Sequence, residues 1–247
     1  MACRLRSDDA FAALPPPRPS PACGGGSRTA TLENDALMPA DPHALPYLAL
    51  GDSYTIGESV DEAGRWPVQL ARALRAEGIA LGDPQIIATT GWTTDELSDA
   101  IDAAQPASDF DLVSLLVGVN NQYRGRDLGE YRVQFDALLQ RATGFAGGRA
   151  ARVLVLSIPD WGVTPFAQAS GRDTDAIARE LDAFNTAARQ LCEARGIAFV
   201  DITPASRARG AEPAMLADDG LHPSASMYAL WARLALPVAR RLLSRDD

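Results

Sequence analysis

The chain of 247 residues has no lysine; all 23 of its basic residues are arginine. This excludes a phosphate-binding Gly-Lys-Ser/Thr loop and any Schiff-base chemistry on an amine side chain. Histidine is nearly absent, with only His43 and His222, so a site built from three histidines cannot form. Cysteine is limited to Cys3, Cys23 and Cys192, an odd number without paired spacing, which gives neither a disulfide framework nor a zinc signature. Cys192 falls in a helical pattern and reads as a small core side chain. No apolar run reaches the ~20 residues of a membrane helix. The net charge of −9 has the wrong sign for nucleic acid or an anionic membrane, which bind basic patches. No cofactor and no metal are implied.

Residues 1–43 lack apolar periodicity. They carry Pro15, Pro16, Pro17, Pro19 and Pro21, followed by Gly24-Gly25-Gly26. Such a segment buries too little surface to offset its ordering entropy, so a disordered extension is expected there, with the folded domain over 44–247. Met1 to Ala13 has no apolar core of signal-peptide length, and Cys23 lacks the apolar stretch of a lipoprotein signal. The expected location is therefore cytoplasmic. Met38 is an alternative start.

From Pro46 onward, short apolar runs alternate with amphipathic stretches, the pattern of βαβ units and a parallel sheet. Strands are expected at 47–50, 85–89, 112–117, 152–157 and 197–201. Helices are expected near 65–77, 128–143 (stopped by Gly144), 174–195 (stopped by Gly196) and 224–243. A further helix starts at Thr93 or Thr94, either of which can cap it, with Asp95 and Glu96 suiting its dipole.

The polar clusters fall just after strands or just before the last helix. Ser53 follows the first strand in Gly51-Asp52-Ser53, Gly91 the second, and Asn120 the third. In a doubly wound sheet of order 2-1-3-4-5 these three strand ends are neighbours, at the edge where open α/β sheets bind ligands. Asp219-x-x-His222 precedes the final helix and can reach the same edge. A serine hydroxyl is a weak nucleophile that needs an adjacent base, which His222 supplies, while Asp219 fixes the imidazole. An oxyanion needs fixed donors: the N–H groups of Ser53 and Gly91 and the Asn120 amide.

Gly51-Asp52-Ser53-Tyr54, Gly91-x-Thr93, Gly118-x-Asn120-Asn121 and Asp219-x-x-His222-Pro223 resemble the four sequence blocks of the SGNH (GDSL-type) hydrolases. The likeness runs over residues 46–243, with the blocks in order. It implies a three-layer α/β/α, flavodoxin-like fold and a metal-free serine esterase, with Ser53, Gly91, Asn120 and His222 as signature residues. Three departures stand out. Tyr54 replaces the block-one leucine, and Asn121 replaces the usual aspartate. The asparagine that some members carry before the second-block glycine is missing.

Blander readings compete at each position. A serine in a strand-ending turn is ordinarily a turn residue or helix cap. Asn120 could merely satisfy a loop backbone. Asp218 competes with Asp219, although the spacing favours Asp219. Asp52 reads as a loop anchor and Gly118 as structural. Tyr54, Trp92, Tyr123 and Trp161 are candidate walls of a substrate pocket. Arg124 and Arg126 either receive an anionic substrate group or are solvated, and the solvated reading is preferred. The expectation is cleavage of small-molecule esters with small or medium acyl groups. An acyltransferase or a dedicated deacetylase or lysophospholipase is the nearest alternative, and a non-catalytic binding module the more distant one. A classical α/β-hydrolase is disfavoured, since no Gly-x-Ser-x-Gly elbow occurs.

Overall fold

The structure, a computed structural model, describes residues 44–244. The expected disordered extension, His43, Cys3 and Cys23 lie outside the described residues. In chain order the elements are β1 (Tyr47–Gly51), α1 (Ser53–Ile56), α2 (Trp66–Ala76), β2 (Gln85–Ala88), α3 (Thr94–Ala104), β3 (Leu112–Leu116), α4 (Val119–Tyr123) and α5 (Leu128–Phe145). They continue with β4 (Val153–Leu156), α6 (Pro165–Ala169), α7 (Thr174–Arg195), β5 (Ala198–Val200), α8 (Thr203–Arg209) and α9 (Ala225–Leu243).

The five strands form one sheet of order β2-β1-β3-β4-β5, every pair parallel. Strands β1, β3 and β4 are buried at every position, which is why they read as continuous apolar runs. Helices α2 and α9 pack against each other, and α5 packs against both α3 and α7, so helices cover the sheet as a three-layer α/β/α fold. Trp66, Leu70 and Leu74 of α2 and Trp231 of α9 are fully buried, as is Cys192 on α7. Among the described residues, no helix is long and apolar enough to cross a membrane.

Two expected boundaries move. Helix α5 continues through Gly144 to Phe145, and the chain turns only where Gly147 and Gly148 take φ values of 65° and 81°. A glycine in ordinary helical geometry weakens a helix without ending it, whereas left-handed backbone does end it. Strand β4 begins at Val153 because Ala150–Arg152 forms a single 3-10 turn. Sequence reading missed the short helices α1, α4, α6 and α8, which are too brief for a 3.6-residue periodicity to show.

Candidate active site

The turn after β1 is built around close approach. A Cβ on Gly51 would lie 2.2 Å from Thr55 Oγ1 and 2.3 Å from the Leu116 carbonyl oxygen, so only glycine fits. Asp52 caps the four-residue helix α1: its Oδ1 accepts from the Tyr54 N–H at 3.0 Å, and the helix closes at Gly57 with φ 71°. Ser53 is thereby the first residue of α1, 4 % exposed at the carboxyl end of β1. Its N–H, at a helix start, has no acceptor among the described residues.

Strands β2 and β3 flank β1, so Gly91 and Asn120 arrive on either side. Gly91 has φ 89°, and a Cβ there would make only an ordinary contact with Arg124 Nη2 at 3.8 Å, so conformation rather than crowding calls for glycine. Its N–H also lacks an acceptor among the described residues. Asn120 is the second residue of α4, beyond Gly118, and is 4 % exposed; one N–H of its amide donates to the Trp92 carbonyl at 2.9 Å. The amide's second N–H remains for a ligand. Gly118 is a packing requirement, since a Cβ would meet the Tyr131 ring at 2.8 Å and Ile158 at 2.9 Å. Asn121 ties the second and third blocks together: its Oδ1 accepts from the Thr94 N–H at 3.1 Å, and its Nδ2 donates to Thr94 Oγ1 at 2.8 Å.

His222 comes from the loop before α9. Leu216 and Pro223 bridge the ends of that loop, and the Ala217 N–H donates to the His222 carbonyl at 2.8 Å. Asp219 Oδ1 accepts from the N–H groups of Leu221 and His222, both at 2.9 Å, while its Oδ2 meets His222 Nδ1 at 2.6 Å. Partial burial opposes ionisation of Asp219. The hydrogen bonds from the His222 ring and the two N–H groups outweigh it and hold the carboxyl well below the usual carboxylate range. The imidazole is thus bound through Nδ1, which leaves Nε2 to work as acceptor or donor. Asp218, by contrast, is exposed.

Two contacts show that this loop meets the β1 turn. The Tyr54 ring stands edge-on to the His222 ring, 6.0 Å between centroids, and Ser59 Oγ donates to Asp219 Oδ2 at 3.3 Å. The Ser53 hydroxyl itself makes no hydrogen bond among the described residues. Catalytic hydrogen bonds are often long in unliganded enzymes and tighten when substrate is bound.

Asp52 is fully buried, and burial pushes its carboxyl up to about 7; the N–H groups of Tyr54, Gly118 and Asp52 itself offset only part of that. Of the four candidate pocket walls, Trp92 and Tyr123 are half-buried, whereas Tyr54 and Trp161 are 3 % and 2 % exposed. Tyr54 and Trp161 line a cavity of about 20 Å³ together with Met215, Met227 and Trp231. That is room for about one water. The Arg172 guanidinium lies over the Tyr123 ring at 4.1 Å. Arg124 and Arg126 are both engaged: Arg124 with Glu96 and the Gly91 carbonyl, Arg126 with Asp95 and Glu130. Sequence reading had given no partner to Arg124, Ser59 or Glu58, the last accepting from the Thr90 hydroxyl. No spacing signal marks contacts of this kind, which join residues far apart in the chain. Among the described residues, no three His, Cys, Asp or Glu side chains gather as a metal site.

Comparison with solved structures finds the same fold at low identity. TesA matches with a TM-score of 0.62 at 20% identity, over 80% of this chain and 99% of TesA. The acetylxylan esterase Axe2 from Geobacillus stearothermophilus matches with a TM-score of 0.60 at 21% identity, over 82% and 95%. The psychrotrophic esterase EstA from Pseudoalteromonas sp., solved inhibited by monoethylphosphonate, matches with a TM-score of 0.59 at 16% identity, over 81% and 99%. No curated protein sequence gives a significant match. The family model described as GDSL-like Lipase/Acylhydrolase matches residues 49–230, a span that takes in the Ser53 turn, both flanking strand ends and the His222 loop. The chain belongs to the GDSL-like lipase/acylhydrolase family.

Proposed function

We propose that this protein hydrolyses carboxylic esters of small or medium acyl groups through an acyl-enzyme on Ser53. The observation that carries the proposal is the 2.6 Å bond from His222 Nδ1 to Asp219 Oδ2, in a loop that touches the serine turn through Tyr54. Ser53 Oγ attacks the carbonyl carbon as its proton passes to His222 Nε2, giving a tetrahedral oxyanion. The N–H groups of Ser53 and Gly91 and the second N–H of the Asn120 amide receive that charge. The C–O bond to the alcohol then breaks, and the alcohol leaves with the proton held by His222. Water, deprotonated by the same imidazole, adds to the acyl-enzyme and releases the acid and free Ser53.

Support for modest acyl size comes from the 202–217 segment, which folds into α8 and a 3-10 turn rather than forming a long lid. The cavity lined by Tyr54 and Trp161 is too small to take an acyl chain. Axe2 and EstA, whose folds this chain shares, are esterases.

The test is hydrolysis of p-nitrophenyl esters from acetate to long chains by wild type and Ser53→Ala. Wild-type turnover should fall by about 10⁶-fold in the variant, and the chain-length profile should peak at short to medium acyl groups. Equal turnover in both proteins would remove Ser53 as nucleophile. Product analysis with competing alcohols separates hydrolysis from acyl transfer.

A further inference from the structure

The oxyanion role asks most of Gly91. A glycine at φ 89° has no side chain to hold it, yet a donor stabilises a transition state only if its direction is fixed beforehand. The Gly91 N–H belongs to the preceding Thr90–Gly91 plane, and the two planes that follow, joined to it through the Gly91 Cα, are each held at both ends. In the Gly91–Trp92 plane, the carbonyl accepts from Arg124 Nη2 at 2.6 Å and the N–H donates to the Thr89 carbonyl at 3.3 Å. In the Trp92–Thr93 plane, the carbonyl accepts from Asn120 at 2.9 Å and the N–H donates to Glu96 Oε2 at 2.8 Å. Glu96 joins the two planes, because its carboxylate also accepts from Arg124 Nη1 at 3.1 and 3.3 Å.

We propose that Arg124, anchored by Glu96, is a positioning residue that presets the Gly91 N–H for the oxyanion. The inference rests on the esterase reading above and adds a residue that acts through the backbone rather than on the substrate. As a surface ion pair, Arg124–Glu96 contributes little to stability, both side chains being 41% exposed. Its geometry is what matters here. The planar guanidinium reaches a carboxylate with one nitrogen and a main-chain carbonyl with the other, a fork that a lysine amine cannot reproduce.

The experiment compares wild type, Arg124→Ala, Arg124→Lys, Glu96→Gln and Ser53→Ala on neutral p-nitrophenyl acetate, with circular dichroism as a check on folding. Arg124→Ala should lower kcat by about 10- to 100-fold with KM changed less than about two-fold. Phosphonylation of Ser53 by a p-nitrophenyl phosphonate should slow in parallel. Added guanidinium should restore much of the lost kcat, Arg124→Lys should recover only part of it, and Glu96→Gln should lose less than Arg124→Ala. An unchanged kcat, or a loss without guanidinium rescue, would overturn the proposal. So would a defect confined to KM and to anionic esters, which would make Arg124 a substrate-binding residue instead. In either case Ser53→Ala would still be inactive, leaving the esterase reading intact. Wild type no more active than Ser53→Ala would bring down the esterase reading and this inference together.

Discussion

Asp52 and Asp219 stand on opposite sides of the site, and the fold treats them in opposite ways. Asp52, beside Ser53, is sealed under the end of β1, and its carboxyl is pushed up to about 7. Asp219, beside His222, keeps 31% of its side-chain exposure, and its carboxyl is held down by three hydrogen bonds within its own loop. The difference reflects how each half is placed. The serine turn is set by non-local packing, with Gly51 pressed against Leu116 of the neighbouring strand, and a carboxyl is caught in that packing. The histidine loop sets itself, mostly by bonds between residues two or three apart. One half is rigid because the sheet is rigid, the other because it is hydrogen-bonded to itself.

The sharpest way to break this comparison is Asp219→Asn. The amide can still accept the loop N–H bonds but no longer fixes the imidazole tautomer, so kcat should drop by about 10⁴-fold, and the thermal midpoint near neutral pH should fall by what the ionised carboxylate contributes there. Wild type should also lose stability as pH falls below about 4, because a depressed carboxyl contributes only above its unfolded value. That acid limb should flatten in the variant. A large loss of folding at pH 7 with ordinary kcat would reverse the assignment of roles.

Asp52→Asn should do the converse, with kcat within about ten-fold of wild type and the main effect on stability. Below about pH 4 the carboxyl is protonated in folded and unfolded chains alike. As pH rises toward 7 the unfolded chain gives up its proton first, so wild type loses stability across that window. At ~1.4 kcal/mol per pH unit the loss amounts to ~4 kcal/mol. Urea titrations at pH 5 and pH 8 should show a steeper decline for wild type than for the variant. Parallel declines would mean that Asp52 ionises freely. The smallest effect is expected from Ser59→Ala, which removes one exposed 3.3 Å bond to Asp219 and should lower kcat by about two- to five-fold. No change at all would show that the loop needs no support from the β1 side.

The same division explains what the sequence reveals. Strand ends are legible because buried parallel strands read as apolar runs, and Gly51, Gly91 and Gly118 punctuate them. Ser53 is legible because its block sits at such an end, and Asp219 and His222 because theirs precedes the final helix. Arg124, Glu96, Ser59 and Glu58 are not. Each acts on a residue that folding alone brings near, as when Ser59 reaches Asp219 across 160 positions. Tyr54 shows the limit from the other side. As an aromatic beside the nucleophile it reads as a pocket wall, but the same side chain stands between the rings of His222 and Trp231, with centroids 6.0 and 5.8 Å away.

Glu58 and Ser59 are adjacent in the chain but tethered in different directions, Glu58 to Thr90 ahead of Gly91 and Ser59 to Asp219 in the His222 loop. Mechanically they form a tie-bar, anchored at one end by a half-buried bond to Thr90 and at the other by an exposed one to Asp219. One dipeptide thus couples the loop of Gly91 to the loop of His222, so the spacing of the two is gauged from the turn that carries Ser53.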